Sequence, residues 1–423
     1  MISFISAVGF RYFSIGLQFV IIVLITRHLS SAESGTYLLI FGVVTSTYYL
    51  AGLGLPDGLV KSISLARASG DLGAIRLLVG RSSAIAALSS AFLIAIGMVT
   101  GHLLGIPAAQ TGATGVWWLS YGIVFFCAQC LLATGQVSQG SFFFYPATNI
   151  FQISFLALLV LWRPSIGLSE IITTSIASAV CCAVTAMVFL LQAVRRFPST
   201  PAAVPLWPVF SLGFTICASR VLQSALYWIP VWMTGLLQGP TPASLVGVAS
   251  RLAVAVASIM AAVRFTVRPA IVAAAARGDW QEIERTSRKI ASVATLAAVA
   301  ALIGSIVAGQ PIVALVFGEA YRPAALVLSV LLLGTIGECF GGPVDEVLRM
   351  TDRSQIVLGL LAAMSILEVM LIAALGASPI SSAAAQSIVF VGMYGFLIAY
   401  VRSRDGVLIV PYPSFRAFFG RET

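Results

Sequence analysis

Charge is what this chain has least of. Only 9% of its 423 residues are Asp, Glu, Lys or Arg, where a water-soluble domain carries about 25%. Hydrophobic residues make up 59%, which excludes a soluble globular protein and leaves no polar stretch long enough for a soluble domain. Histidine is almost missing: His28 and His102 stand alone at the ends of apolar runs, without metal-ligand spacing. Paired acids, a nucleophile in a polar loop and a Gly-rich phosphate loop followed by Lys are also lacking, so no attached ATPase is encoded. The expectation is a protein that is not an enzyme and holds neither cofactor nor metal. The six cysteines all lie inside apolar runs and read as small hydrophobes, including the CxxC pair Cys127 and Cys130. No disulfide is expected.

What the chain does have is long apolar runs. A membrane-crossing helix needs about 20 mostly apolar residues. Runs bounded by charge or Gly/Pro predict spans near 5–26, 36–55, 82–104, 113–134, 142–162 and 170–191. After the break Arg195-Arg196-Phe197-Pro198-Ser199-Thr200-Pro201, six more follow near 207–236, 243–263, 290–309, 323–343, 355–376 and 380–401. The first lacks a basic leader and a cleavage site, so it reads as a retained helix. The predicted fold is an all-α polytopic membrane protein of about twelve spans, with a six-helix lobe over 1–200, a second over 201–401 and a cytosolic tail over 402–423.

A formal charge of +9 does not imply nucleic acid once the cations are placed. With both termini cytosolic, the inner connections collect Lys61, Arg67, Arg76, Arg81, Arg195, Arg196, the cluster from Arg264 to Lys289, Arg349, Arg353 and the tail arginines. The outer loops keep only Arg27, Arg163 and Arg322. The halves also echo one another: Gly70-Asp71 with Ile75 recurs 208 residues later as Gly278-Asp279 with Ile283, and Gly101-His102 recurs as Gly309-Gln310 just past the third span. Six spans per half is an even number, so the repeats are parallel and related by a pseudo-twofold along the membrane normal. Charged and apolar positions after each Gly-Asp predict short surface helices.

Three arginines fall inside spans, where each costs roughly 2.5–3.5 kcal/mol and normally faces a cavity or a partner. Arg11 and Arg220 each lie 16 residues before the outer end of their span, about 24 Å at helical rise, in equivalent places of the two halves. Arg11, Ser14 and Gln18 form one stripe; Arg220, Gln223 and Tyr227 form another. Arg251 lies nearer the outer end of its span, with Ser244 and Ser258 seven residues either side on its face. A guanidinium fork suits phosphate, so an anionic headgroup is the natural ligand, with snorkelling or pairing to a carboxylate as the plain alternative. Glu338 and Glu368 are the acids well inside apolar runs; each is either an ion relay or a neutraliser of Arg220 or Arg251. Asp57, in Gly54-Leu55-Pro56-Asp57-Gly58, reads as a cap or turn at the end of the second span. The run Phe142-Phe143-Phe144-Tyr145 reads as an interfacial aromatic belt, with the flank of an opening for a lipid tail as the alternative.

Thr26-Arg27-His28-Leu29 followed by Glu33-Ser34-Gly35-Thr36-Tyr37, the run from Leu315 to Ala324 containing Phe317-Gly318-Glu319-Ala320-Tyr321, and the stretch from Pro343 to Arg353 carry a resemblance. They are similar to the polysaccharide (O-antigen, Wzx-type) flippases of the multidrug/oligosaccharidyl-lipid/polysaccharide exporter superfamily. Thr351-Asp352-Arg353 departs from that pattern, since relatives often carry Thr-Gly there. The resemblance implies a V-shaped pair of lobes with a basic cavity in a bacterial inner membrane. It implies movement of an undecaprenyl-pyrophosphate-linked glycan to the periplasmic leaflet, with membrane lipids, H+ or Na+ and other polysaccharide-assembly proteins as partners. Substrate-binding candidates are then Arg11, Gln18, Arg220, Gln223, Tyr227 and Arg251, and ion-coupling candidates Glu338 and Glu368. A cation-coupled drug exporter of the same superfamily is the alternative, although cationic cargo sits poorly beside three arginines. A glycan polymerase or glycosyltransferase would need catalytic loops that the sequence lacks, and a non-transporting scaffold is the remaining reading.

Overall fold

A computed structural model describes residues 2–103, 105–163, 166–198 and 206–412. The Pro-rich break over 199–205 and the tail over 413–423, with Arg416 and Arg421, lie outside the described residues, as do the side chains of 259–270 with Arg264 and Arg268. Among the described residues all regular structure is helical, apart from short turns. In chain order the helices are α1 (Ile2–His28), α2 (Ser31–Thr47), α3 (Leu55–Ala68), α4 (Leu72–Leu103), α5 (Ala108–Ala133), α6 (Val137–Phe144), α7 (Ala147–Trp162) and α8 (Leu168–Val194). They continue as α9 (Trp207–Gln238), α10 (Pro240–Ala276), α11 (Trp280–Phe317), α12 (Ala324–Phe340), α13 (Val344–Met350), α14 (Ser354–Leu375) and α15 (Pro379–Asp405). Among the described residues, ten helices are long and apolar enough to cross a membrane, or twelve when α6 with α7 and α12 with α13 each count as one bent span.

Three spans are broken rather than continuous. The second runs over Ser31–Arg67, well past the expected 36–55, and unwinds between α2 and α3. There Gly52, Leu53 and Gly54 all take positive φ, a conformation glycine accepts freely and leucine does not. The α6–α7 pair bends by 50° at Tyr145-Pro146, where the proline has no N–H to continue the ladder. The α12–α13 pair bends by 44° at Gly341-Gly342-Pro343. Hydropathy missed α3 because it is amphipathic: Leu55, Leu59 and Ile63 are buried at helical spacing, while Lys61, Ser64 and Arg67 are exposed.

The repeated Gly-Asp pairs have one shared physical meaning. Gly70 and Gly278 both have positive φ and end a helix. The next residue then caps the following helix, Asp71 accepting from the N–H of Ala74 at 3.3 Å and Asp279 from that of Glu282 at 3.0 Å. The helices they start, α4 and α11, are continuous for 32 and 38 residues, so the expected short surface helices are simply their first turns. The second echo does not hold: Gly101 lies in the last turn of α4, whereas Gly309 lies inside α11.

The chain forms two compact units, 1–33 with 40–225, and 34–39 with 226–423. In the first, α5 is the central helix, and its Cys127, Ala128, Cys130 and Leu131 pack with Leu59 and Ile63 of α3 and Cys182 and Ala186 of α8. Small residues permit this close approach, as membrane helices require. In the second, α12 packs with α10, α11 and α15. Polarity is inverted outward: on α4, Leu88, Phe92, Ile96, Val99 and Leu103 form an exposed apolar stripe at helical spacing, which suits lipid. After α15 the chain turns at Gly406 and continues without regular structure to 412 beside α11, with Leu408 N–H donating to Glu284 and Tyr412 N–H to Ser292. Within this stretch Ile409 is fully buried, and Arg353 clamps Asp405 with two bonds of 2.8 and 3.0 Å.

The residues behind the recognised motifs are structural. Ser30 and Glu33 make a capping box for α2, and the backbone of Gly35 lies so close to Pro240 that a side chain would collide with its carbonyl. Gly318, at positive φ, ends α11, and the buried Tyr321 ring packs near Phe317 in the turn that follows.

Candidate functional site

Within the first unit the unwound segment between α2 and α3 builds a charged centre. Gly213 on α9 lies backbone to backbone against Gly54 and Gly58, with no room for a side chain on either partner. Cys217, one turn on, donates its thiol to the carbonyl of Tyr49 at 3.1 Å, a group freed by the unwinding. Arg220, at the next position of the same face, sets its Nη2 3.1 Å from Oδ1 of Asp57. That oxygen also accepts from Nε2 of Gln129 on α5 at 3.3 Å. Asp57 is therefore more than a cap: it is 6% exposed in the first turn of α3, where the helix dipole also favours a carboxylate. Ring centroids of Tyr49, Phe125 and Phe144 stand 5.7, 5.8 and 6.0 Å from the Arg220 guanidinium carbon.

Arg11 lies on α1, its guanidinium carbon 5.9 Å from the Tyr145 ring. Ser14 donates to the Tyr145 carbonyl at 2.9 Å, and the Asn149 amide donates to the carbonyl and hydroxyl of Ser14 at 3.0 and 2.9 Å. These bonds tie α1 to the start of α7. The α6–α7 break sets the Phe144 and Tyr145 rings edge to face at 4.6 Å, so neighbouring residues receive one arginine each. Both rings line a cavity of about 170 Å³, with Ser14, Gln18, Tyr48, Tyr121, Phe125 and Asn149 also in its wall. Within the aromatic run, Phe143 is buried, and Phe143, Phe144 and Tyr145 all contribute to the cavity wall.

The stripe on α9 divides between the units. Arg220 and Gln223 belong to the first and Tyr227 to the second, where its hydroxyl donates to Oε2 of Glu338 at 2.8 Å. Tyr394 donates to the other oxygen at 3.4 Å, so the 3% exposed Glu338 is held by phenols on α9 and α15. Glu368, fully buried on α14, has no hydrogen-bond partner for either oxygen among the described residues. Arg251 lies over the Trp228 ring at 3.9 Å and pairs with no carboxylate among the described residues. Ser244 and Ser258, its expected companions, spend their hydroxyls on carbonyls of their own helix. The carboxylate on Arg220 is Asp57, which corrects the expectation that Glu338 or Glu368 neutralises it. Glu338 and Glu368 are not the only interior acids either, since Asp345 and Glu346 at the start of α13 are also buried.

A protein-family model described as MatE matches residues 215–375, less than half of the chain. No curated protein matches at the level of sequence. Among solved structures, an inward-facing multidrug resistance MATE family transporter of the MOP superfamily superposes with a TM-score of 0.76 at 11% identity, covering 92% of this chain and 94% of its own. The lipid II flippase MurJ in an inward closed conformation gives 0.69 at 13% identity over 95% and 88%. A MOP superfamily transporter from Pyrococcus furiosus, for which a reversed pocket polarity suggests a different function, gives 0.62 at 11% identity over 96% and 95%. The chain has the MATE-like fold of two helical lobes, and the family members that share it are transporters, not enzymes.

Proposed function

We propose that this protein is a lipid-linked oligosaccharide flippase. In this reading it carries an undecaprenyl-pyrophosphate-linked glycan from the cytosolic to the periplasmic leaflet of a bacterial inner membrane by alternating access of two six-helix lobes. The observation that carries it is the pair Arg11 and Arg220, each on an aromatic face bordering one uncharged cavity inside an apolar unit. Guanidinium groups at such depth are costly and suit a phosphate that arrives with its lipid tail in the bilayer. The likeness to the lipid II flippase MurJ supports a lipid-linked cargo. Arg251 is a further candidate contact for the anionic cargo, Gln18, Gln223 and Tyr227 are candidate polar contacts, and Glu338 and Glu368 are the groups proposed to couple return of the empty protein to H+ or Na+.

The test is reconstitution into vesicles with a fluorescent undecaprenyl-pyrophosphate glycan on one leaflet. Wild type equilibrates the label between leaflets, and Arg220→Gln slows it at least tenfold at equal protein level; unimpaired flipping by that variant refutes the role of Arg220. A second reading, a cation-coupled drug exporter, is favoured by the Asp57 carboxylate, which neutralises Arg220, and by the likeness to a multidrug transporter. Vesicles that accumulate ethidium on an imposed proton or sodium gradient, but never scramble the glycan lipid, would establish that reading instead.

A further inference from the structure

The cavity beside Arg11 and Arg220 has a chemistry different from theirs. None of the side chains lining it is charged; its wall combines tyrosine and phenylalanine rings with amides and hydroxyls. The polar groups are not all spent. The Gln18 amide makes no hydrogen bond among the described residues, and Asn149 uses its N–H donors on Ser14, leaving its carbonyl oxygen open. Thr45 gives its proton to the Phe41 carbonyl at 2.7 Å and keeps its acceptor sites. Donors and acceptors side by side suit a ligand rich in hydroxyls, which both gives and takes hydrogen bonds. Aromatic rings in the cavity wall suit the flat C–H face of a pyranose.

Two further facts weigh against other classes. At about 170 Å³ the cavity is smaller than the ~300–1,000 Å³ of drug-sized sites and has room for a group the size of a single ring. A cation seeking an aromatic cage would meet rings already engaged by guanidinium groups, at 5.9 Å for Tyr145 and 6.0 Å for Phe144. A phosphate would prefer the arginines themselves.

We infer that this cavity is a saccharide subsite that takes one uncharged pyranose ring, the sugar joined directly to the phosphate that Arg11 and Arg220 hold. The assignment rests on the flippase reading for the phosphate but not for the sugar. It makes Gln18, Asn149 and Thr45 the residues that discriminate the first sugar of the glycan, with Tyr48 and Tyr121 as stacking faces.

The experiment uses the full-length protein in nanodiscs and two kinds of probe: undecaprenyl pyrophosphate alone, and the same lipid carrying one hexose, 6-deoxyhexose or N-acetylhexosamine. At least one sugar-bearing lipid binds tenfold or more tighter than the bare one. In the double variant Gln18→Leu/Thr45→Val, both near-isosteric, that ratio falls below twofold, whereas in Arg220→Gln both lipids weaken together. Equal wild-type affinity for all four lipids overturns the subsite and leaves the phosphate reading standing. If no lipid binds, the phosphate reading fails, and saturation-transfer NMR with the three methyl glycosides decides the subsite alone. Signals lost in Gln18→Leu uphold it; no signal refutes it. Ethidium binding that Gln18→Leu abolishes also refutes it.

Discussion

An ion in a greasy interior needs a partner, and the choice of partner decides what each charge is for. Arg220 is paired with Asp57 at 3.1 Å, and Gln129 holds that carboxylate from the other side. Breaking a fully buried pair costs about 3–5 kcal/mol because a lone charge is left behind. Here the Arg220 side chain keeps 33% of its exposure, so Arg220→Met should cost less, about 2–3 kcal/mol. Adding Asp57→Asn removes the stranded charge while the new amide can still accept from Gln129. The double variant should therefore recover at least half of the lost thermal midpoint in detergent yet stay inactive in the flipping assay. A double variant as unstable as the single one would mean that Asp57 is held by more than its charge. Arg251 was equally legible as an intramembrane cation, but nothing in the sequence disclosed that Trp228, rather than a carboxylate, would cover it. The run of apolar residues reveals that a charge is buried; it does not reveal which distant residue meets it.

Helix breaks explain both the site and the limits of reading it from sequence. Gly54-Leu55-Pro56-Asp57-Gly58 reads in sequence as a cap or turn closing the second span, because the amphipathic α3 it in fact begins resembles a surface loop, so the span seems to end where it only unwinds. Asp345 and Glu346 were overlooked for the same reason, since α13 follows Gly341-Gly342-Pro343 and carries Arg349. Discontinuous helices supply freed carbonyls and new helix N-termini at depth, the features that membrane transporters use to hold polar cargo. Gly213 tests whether the break is held from outside. It sits inside α9, where replacement by Ala favours a helix by about 1 kcal/mol. The added methyl, however, would run into the Gly54 carbonyl and the Gly58 amide. Backbone cannot yield as a flexible side chain can, so the collision should win. Gly213→Ala is expected to lower the thermal midpoint and, by pushing α9 outward, to lengthen the Arg220–Asp57 pair. Gly97→Ala is the control, since nothing lies within 4 Å of the position its Cβ would take on α4. A Gly213→Ala protein as stable as that control would show that α9 and the α2–α3 turn separate without cost.

The apolar runs made the helical class legible because a bilayer leaves the backbone few alternatives, and the cation distribution makes a further commitment about orientation. The Gly-Asp turns at 70–71 and 278–279 sit among Lys61, Arg67, Arg76 and Arg81 in one half and Arg277, Arg285, Arg288 and Lys289 in the other, while the turns near 105 and 319 are poor in cations. Lysine and arginine in short connections resist translocation, so both Gly-Asp turns are expected on the cytosolic side and the cation-poor turns opposite. Single cysteines at the exposed positions Ser69, Gln281, Gln110 and Glu319, in a background where the exposed Cys181 is serine, provide the measurement. A membrane-impermeant maleimide added to intact spheroplasts should label Gln110→Cys and Glu319→Cys, and reach Ser69→Cys and Gln281→Cys only after lysis. Labelling of Ser69→Cys and Glu319→Cys from one side would mean that the two halves enter the membrane in opposite senses, and the parallel repeat would have to be abandoned. Labelling of all four in the reverse sense would keep the repeat but invert the protein. The phosphate-bearing cargo would then be collected from the outer leaflet, and the direction of transport proposed above would be wrong even with every residue of the site correctly placed.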